Sequence, residues 1–305
     1  MSLPYYQMDT ENEKLKTLVA RHSSLWNEFH EKLQISWIYH DHGLEGTVLQ
    51  PREITVALNN KVASDSSFLP MYQEIKNYYN GIQLIRDLVD GERSGEDITT
   101  TLILELYEVL AKDLRGVQAE GELRNDDGRY GAYYHKCCPS EEVKQGMEKL
   151  LKRINLFSAN LVHPLVMIAR FHYDFMQLMP VGKLSGKVGR LLMNLLLLRQ
   201  SYTPAIIHAV ERARYYESLA SEDEDQLVLI LSESVGSTVE SATRYIEEGV
   251  EERRRKREAR KAVKQSKEAA RQLESKTEVA KKTRRRASRR VTASKKVKQV
   301  SSGRR

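Results

Sequence analysis

The sequence predicts a mainly helical, all-α domain followed by a basic tail. Through most of residues 11–249, apolar side chains recur at steps of three and four residues, which places them on one face of an α-helix. One internal stretch, 121–139, lacks this period and is rich in turn residues. Beyond Gly249 the apolar period disappears and Lys and Arg dominate. We therefore expect a helical bundle, a short β-hairpin and a C-terminal extension.

Composition is typical of a folded intracellular protein. The chain has 305 residues, of which 40% are hydrophobic, enough to bury one substantial core. No signal sequence precedes the polar N-terminus, and the longest apolar run, 191–198, is far shorter than the roughly 20 residues that span a bilayer. We expect a soluble, cytoplasmic protein. The two cysteines, Cys137 and Cys138, are adjacent, so neither a disulfide framework nor a metal site is predicted.

Four helices are predicted before the irregular stretch. Apolar spacing over 11–42 indicates one long amphipathic helix that ends near a His-Asp-His-Gly turn, and Pro51 opens a short helix. Residues 69–90 and 97–112 follow as core helices, the second with Asp97 as its expected N-cap. We interpret the two core helices as packing elements without a chemical role.

The central stretch predicts a helix, a tight loop and a second helix. Apolar residues recur from His163 to Leu178, Pro180 and Gly182 break the helix, and Ser185 restarts it. The start of a helix behind a short Gly-containing loop directs free N–H groups and the positive end of the helix dipole at the loop. Such a helix end suits a phosphate.

The C-terminal region carries the positive charge. Residues 251–305 hold 23 Lys and Arg against 6 Asp and Glu, whereas the rest of the chain holds 26 against 36. The tail has no aromatic residue and too few apolar residues to fold alone, so we expect a frayed helix to about residue 282 and disorder beyond it. Its basic clusters indicate an arm that binds DNA or RNA through phosphates, and a merely solubilising extension is the alternative.

These motifs resemble the Fic (Fido) domain. The helix from His163 resembles the family pattern HPxxxAxxxHxxFxxI, with which it shares His163, Pro164, His172 and Phe175, and residues 191–219 are similar to the segment that follows the family signature HPFx(D/E)GNGRxxR. The resemblance covers roughly residues 30–235. It implies a helical fold in three parts: 1–62 with an inhibitory-type motif, 63–235 as the Fic-like core, and 236–305 as helical extension and tail.

The signature itself is altered. Fic enzymes typically transfer AMP from ATP to a protein hydroxyl. Five functional positions of their signature are altered here: Met179 stands in place of the base, Lys183 of the Mg²⁺ carboxylate, Leu184 of the first glycine, Ser185 of the asparagine and Lys187 of the first arginine. Gly186 and Arg190 are unchanged. The candidate nucleotide or anion ligands are therefore Lys183, Ser185, Gly186, Lys187 and Arg190. ATP is a candidate ligand and Mg²⁺ is not expected, while His172 is interpreted as a packed structural residue.

The resemblance also assigns a regulatory segment and a partner surface. Glu45 and Gly46 match the end of the inhibitory motif (S/T)xxxE(G/N), with Asp41 in the Ser/Thr place, so Glu45 is expected to pair with Arg190. Residues 121–139 correspond to the flap that positions a target protein.

The sequence is compatible with three functions. The leading interpretation is a regulatory or binding module that has lost AMP transfer. The second is an active nucleotidyl or phosphoryl transferase that uses the altered loop, and the third is a protein-binding scaffold.

Overall fold

The computed structural model describes residues 4–59, 69–114, 116–117, 121–127, 137–157, 162–221 and 224–301. Within these ranges the secondary structure is helical and contains no strand. The chain divides into two units, residues 1–246 and 247–305, which we describe separately. The α-helices are α1 (Pro4–Arg21), α2 (Ser23–Leu44), α3 (Pro51–Leu58), α4 (Leu69–Asp90), α5 (Thr100–Ala111), α6 (Ser140–Asn155), α7 (Pro164–Leu178), α8 (Ser185–Arg199), α9 (Arg212–Ala220) and α10 (Glu224–Ser301).

The first unit is organised around α8. This helix packs against α7 on one side and against α4 and α5 on others, and all of its residues from Ser185 to Leu195 are buried. A helix that is buried all round belongs to the centre of a core rather than to its surface. The residues around α7 and α8 are therefore held by packing on every side.

Close approach of α7 and α8 depends on Gly189. A Cβ atom at this position would lie 2.9 Å from Cδ1 of Phe175, a residue with no exposed surface. Because both helices are tightly packed, neither ring nor backbone has room to move away. The small residue therefore sets the distance between the two helices that carry the candidate site.

Several helix boundaries differ from those predicted. The long helix expected over 11–42 is interrupted at His22, whose backbone angles (φ −135°, ψ 45°) are not helical. Apolar spacing does not reveal this break, because Leu18 and Leu25 are seven residues apart, about two helical turns. The hydroxyl of Thr99, not Asp97, caps α5 by accepting from the Leu102 amide at 3.2 Å.

The predicted β-hairpin over 121–139 is absent from the described part of that stretch. Residues 121–127 and 137–139 form turns and irregular backbone, and the remaining residues of the stretch, 128–136, lie outside the described ranges. The backbone groups of these two segments bond to a helix end instead of to each other: the Arg124 amide donates to the Pro180 carbonyl at 2.8 Å and the Cys138 amide to the Gln177 carbonyl at 3.0 Å.

The tail is helical further than expected. The prediction of disorder beyond about residue 282 is wrong for the described residues, since α10 continues to Ser301. Ala, Glu, Lys and Arg are strong helix formers. Glu-to-Lys or Glu-to-Arg pairs four residues apart add support, as in Arg255 with Glu251 at 3.1 Å and Lys256 with Glu252 at 2.5 Å. None of the described helices is both long and apolar enough to cross a bilayer.

Substitution of Gly189 by Ala should destabilise the first unit. The added methyl group overlaps the Phe175 ring, and overpacking of a core costs about 1–3 kcal/mol of unfolding free energy. Gly236→Ala in α10 is the matched control, because a Cβ atom added there would have no neighbouring atom within 4 Å and the same change in a helix stabilises by about 0.5–1 kcal/mol. Urea unfolding followed by circular dichroism measures the unfolding free energy of both variants. Equal effects at the two positions would contradict the proposed close contact.

Candidate functional site

The turn between α7 and α8 has a strained first residue. Met179 ends α7 in the left-handed region (φ 46°, ψ 54°), and its amide donates to the Phe175 carbonyl at 3.0 Å. Left-handed angles cost a residue with a Cβ atom about 1–2 kcal/mol. Its side chain is buried, so the position that the resemblance gives to a catalytic base holds a thioether inside the core.

Ser185 stabilises the turn rather than capping the next helix. Its Oγ accepts a hydrogen bond from the Val181 amide at 3.0 Å, and the residue is completely buried. The N-cap of α8 is Leu184, and a one-turn 3₁₀ helix, Gly182–Leu184, leads into it. The hydroxyl of Ser185 is therefore already used within the loop.

The two lysines beside the helix start have different surroundings. Lys183 is exposed, whereas Lys187 is buried with its ammonium 3.6 Å from Oε2 of Glu74. The same ammonium lies 5.9 Å from the ring centre of Tyr78, within cation–π range. Only Lys183 of this pair faces solvent, and Gly186 between them is buried.

Arg190, one turn further along α8, is the charged centre of the site. Its Nε lies 2.5 Å from Oδ1 of Asp41 and its Nη2 lies 2.5 Å from Oε1 of Glu45. Glu45 is the C-cap residue of α2, and Gly46 follows it with a positive φ of 86°. The contact between Glu45 and Arg190 that the sequence predicted is present, and Asp41 is a second carboxylate partner that the sequence did not predict.

Burial shapes the protonation of the groups around Arg190. Burial disfavours the charged guanidinium, but Asp41 and Glu45 together raise the pKa of Arg190 well above its ordinary value. Burial, followed by the charge of Lys187, lowers the pKa of His42 to about 3. His42 is therefore neutral, and its Nδ1–H donates to the Ile38 carbonyl at 2.8 Å. The positive charge of this region belongs to Arg190 and Lys187.

The C-terminal end of α2 is docked on the segment before and within α9. The Leu44 carbonyl accepts from Nε of Arg212 at 2.8 Å and from the Tyr216 hydroxyl at 3.2 Å. The Ala209 amide donates to Nδ1 of His40 at 3.2 Å. Gly43 faces Ala209 so closely that a Cβ on it would lie 2.5 Å from the alanine Cβ. Asp41 and Glu45 are thus presented by a rigidly held helix end.

His172 is a structural residue in this geometry. It has no exposed surface, its Nδ1 bonds to the Gly189 carbonyl at 3.2 Å, and its Nε2 bonds to the Tyr215 hydroxyl at 2.7 Å. Burial, followed by the charge of Arg190, lowers its pKa to about 3. The imidazole therefore donates through Nδ1 and accepts through Nε2, with neither nitrogen left for a substrate.

Arg124 attaches the flap stretch to the end of α7. The guanidinium lies nine-tenths buried and donates to the carbonyls of Leu178 at 3.0 Å, Met179 at 2.9 Å and Cys138 at 2.5 Å. A cation at a helix C-terminus satisfies carbonyls that have no partner in the helix. This role is not evident from the sequence, since nothing in the spacing relates residue 124 to residue 179.

A cleft of about 270 Å³ lies beside this attachment. Its walls come from the start of the flap stretch, from α5 and from the turn before α8, and include Glu122, Arg124, Asp126, Gly182 and Lys183. Lys183 therefore faces a concave surface. Among the described residues, no three His, Cys, Asp or Glu side chains come together in a way that would hold a metal ion.

Comparison with known proteins assigns this helical arrangement to a family. Residues 97–197, which include α5, α6, α7 and most of α8, match the model of the Fic/DOC family. The chain contains a Fic domain. The matched range includes the turn after α7, Lys183 and Arg190, whereas α2 with Asp41 and Glu45 precedes the range.

Curated relatives extend the similarity beyond the Fic domain itself. The protein adenylyltransferase Fic of Drosophila melanogaster is 25% identical over 229 residues, which are 74% of this chain and 45% of that protein. The corresponding protein of Drosophila yakuba is 27% identical over 191 residues, 62% of this chain and 37% of that protein. The chain therefore spans less than half the length of these relatives.

Solved structures share the fold. Fic-1 from C. elegans has a TM-score of 0.68 at 18% identity, and the match covers 79% of this chain and 71% of that chain. A Fic domain containing signaling protein from Bacteroides thetaiotaomicron has a TM-score of 0.68 at 21% identity over 80% of this chain and 97% of that chain. The predicted all-α Fic fold is thereby confirmed.

The candidate residues of the Fic domain lie together at one end of α8. Ser185, Gly186, Lys187 and Arg190 occupy its first two turns, Lys183 lies in the preceding loop, and Glu45 reaches Arg190 from α2. The sequence could have indicated Asp41 as a further partner of Arg190, because a residue four positions before Glu45 lies on the same helix face.

Loss of the Arg190 guanidinium should strongly destabilise the protein. In Arg190→Met the Asp41 carboxylate stays buried with no counter-charge, which costs about 3–5 kcal/mol. Arg170→Met is the matched control, because it removes an exposed pair with Glu224 that is worth under about 1 kcal/mol. Urea unfolding gives the loss of unfolding free energy for each of the two variants. A loss for Arg190→Met no greater than that for the control would show that the buried pair does not stabilise the fold.

Proposed function

We propose that this protein is a Fic-fold regulatory or binding module that does not transfer AMP. The observation that carries the proposal is that Ser185, Lys187 and Arg190 each have a partner inside the protein. In an AMP transferase, groups at these positions must meet the phosphates of a nucleotide. Here the Val181 amide, the Glu74 carboxylate and the two carboxylates of α2 take that place.

The chemistry at the remaining positions supports the same conclusion. A buried Met179 cannot accept a proton, and a missing general base costs a reaction about 100- to 10,000-fold. An ammonium at Lys183 repels Mg²⁺ where the resemblance expects a carboxylate. Ser185 stands where the resemblance expects an asparagine donor, and loss of one charge-stabilising donor costs about 100- to 1,000-fold. The residues present thus do not fit an ATP–Mg²⁺ complex, and a partner bound without covalent transfer is the simpler role.

The flap stretch offers the surface for a target protein. The cleft of about 270 Å³ joins residues 122–126 to Gly182 and Lys183, and Arg124 fixes one wall of the cleft to the end of α7. A rigid wall lowers the entropic cost of binding. We expect a segment of the partner to occupy this cleft.

The basic tail is proposed to bind nucleic acid. Its helix presents exposed cations, with Arg254, Arg255 and Lys256 each at least 65% exposed. A surplus of 17 positive charges over 251–305 suits a phosphate backbone, and the lack of aromatic residues removes base stacking as a source of sequence preference. The tail therefore supplies affinity without selecting a sequence.

Labelling with radioactive ATP tests the loss of AMP transfer. Wild type and Glu45→Gly, incubated with Mg²⁺ and ATP labelled at the α-phosphate, should both give background counts on themselves and on added proteins, because neither has a base or a metal ligand. Met179→His should stay inactive as well, since Lys183 and Ser185 are unchanged. Label transfer by any of the three, at a rate that rises with protein concentration, would favour the alternative of an active nucleotidyl transferase.

Salt-dependent gel shifts test the tail. Full-length protein should bind duplex DNA and lose about a thousandfold or more in affinity between 50 and 200 mM salt if it makes about 6–10 phosphate contacts. A chain that ends at Gly249 should not bind, whereas the control Arg153→Gln/Arg170→Gln, which removes exposed cations from the first unit, should bind like wild type. Equal binding with and without the tail would mean that residues 251–305 are only solubilising.

A further inference from the structure

We propose that Ser288 and Thr292 in the tail are phosphorylated by a kinase that selects basic sequences, and that this modification weakens the binding of the tail to nucleic acid. The assignment of the two hydroxyls stands on the sequence pattern around them. The effect on binding rests on the nucleic-acid role proposed above for the tail, and it names a means of regulating that role.

The two hydroxyls stand in the same sequence pattern. Ser288 follows the pair Arg285–Arg286, and one apolar residue lies between them. Thr292 follows the pair Arg289–Arg290 in the same way, and no other Ser or Thr of the chain has Arg both two and three positions before it. A kinase with acidic groups in its substrate groove selects a hydroxyl by basic residues at fixed distances, because each guanidinium pairs with a carboxylate of the groove. The spacing therefore separates these two hydroxyls from the others in the tail.

The charge pattern changes along the tail helix. Residues 251–278 hold 11 Lys and Arg together with 6 Glu, whereas residues 279–305 hold 12 Lys and Arg and no acidic residue. In the first segment a glutamate pairs with a cation one turn later, as Glu251 does with Arg255 at 3.1 Å. The second segment contains no side chain of its own that could do the same. Most of the surplus positive charge of the tail therefore lies in the segment that contains the two hydroxyls.

Phosphates on the two hydroxyls would supply the missing negative charge. The helix α10 continues to Ser301, so residues three and four positions apart lie on the same face. The Arg three positions before each hydroxyl, Arg285 or Arg289, is therefore one turn away from it. A phosphorylated Ser or Thr accepts charge-assisted hydrogen bonds from guanidinium groups at this spacing. Arginines engaged in this way are no longer available to the phosphates of DNA or RNA.

The helix at this point unwinds at little cost for a kinase, which binds its substrate as an extended chain. Arg285 and Arg289 are four positions apart, as are Arg286 and Arg290, and like charges at this spacing destabilise a helix. The branched Cβ atom of Thr292 further lowers the helix propensity of the segment. Local opening around the hydroxyls therefore needs no other part of the protein to rearrange.

The modification is an ordinary phosphoryl transfer in which this chain is the substrate. The bond between the γ-phosphorus of ATP and the bridging oxygen breaks, a bond from phosphorus to the side-chain oxygen forms, and the hydroxyl proton passes to the base of the kinase. ADP leaves. Because each phosphate adds about two negative charges at pH 7, two transfers offset about four of the positive charges of residues 279–305.

Labelling of the full chain tests the assignment of the site. With ATP labelled at the γ-phosphate and the catalytic subunit of cAMP-dependent protein kinase, mass spectrometry should find phosphate on Ser288 and Thr292 but not on Ser294, which has no Arg pair before it. Arg285→Gln/Arg286→Gln should lower the rate at Ser288 at least about tenfold, because two charge-assisted contacts with the kinase are lost, and should leave Thr292 as the matched internal control. No label on either hydroxyl, label on Ser294 as fast as on Thr292, or an unchanged rate at Ser288 in the variant would overturn the assignment.

Gel shifts with duplex DNA test the effect on binding. Phosphorylated full-length protein should bind at least about tenfold more weakly than untreated protein at about 100 mM salt. The slope of log affinity against log salt should become less steep by about 2–4, because each lost phosphate contact removes about 0.9. Kinase-treated Ser288→Ala/Thr292→Ala is the matched control and should bind like untreated wild type. Unchanged affinity after complete phosphorylation of both hydroxyls would refute the regulatory effect.

Failure of this proposal is distinguishable from failure of the proposed function. If untreated full-length protein does not bind DNA, the nucleic-acid role of the tail and its regulation are both overturned, while the labelling still decides whether Ser288 and Thr292 are modified. If untreated protein binds and the hydroxyls take no label, the nucleic-acid role stands and the modification site is wrong.

Discussion

A permanently charged side chain in the middle of a buried helix determines how this Fic domain is assembled. Arginine cannot give up its proton in a protein, so its charge must be balanced wherever it is buried. Arg190 lies in α8, which has core residues on nearly every side, and both of its counter-charges come from α2. The place of α2 against the core is therefore fixed by charge as well as by apolar packing.

Side chains in and after the turn before α8 also have their partners inside the protein. The start of a helix ordinarily leaves N–H groups and side chains available to a ligand. In this turn the Ser185 hydroxyl accepts from Val181, Lys187 lies against Glu74, and Met179 fills space in the core. Each of these contacts substitutes an internal partner for an external one. The side chains of Met179, Ser185 and Lys187 therefore belong to the interior, whereas Lys183 is exposed and lines the cleft.

Sequence patterns predicted the helices of the core, and the resemblance to the Fic domain predicted the pairing of Glu45 with Arg190. Both failed where a local choice depended on distant residues. Thr99 and Asp97 are both acceptable N-caps by residue type, and only the structure shows that the hydroxyl of Thr99 caps α5. Arg124 bonds to carbonyls about 55 residues away, which no periodicity indicates. Asp41 lies one turn before Glu45 on the same helix face, but the motif has an uncharged Ser or Thr at this position and so did not indicate a second carboxylate partner for Arg190. The continuation of the tail helix beyond about residue 282 was not predicted, because the low apolar content there indicates disorder although Ala, Lys and Arg are strong helix formers.

The docking of α2 has a consequence for how the protein changes shape. The end of this helix is joined to α8 through Asp41 and Glu45, and to the region of α9 through Leu44 and His40. Withdrawal of α2 would break these contacts together and would leave charged and aromatic groups of the core without partners. Such an element does not open as a hinged lid does. It belongs to the same cooperative unit as the helices it covers, so its release is an act of partial unfolding, governed by the conformational stability of the whole domain.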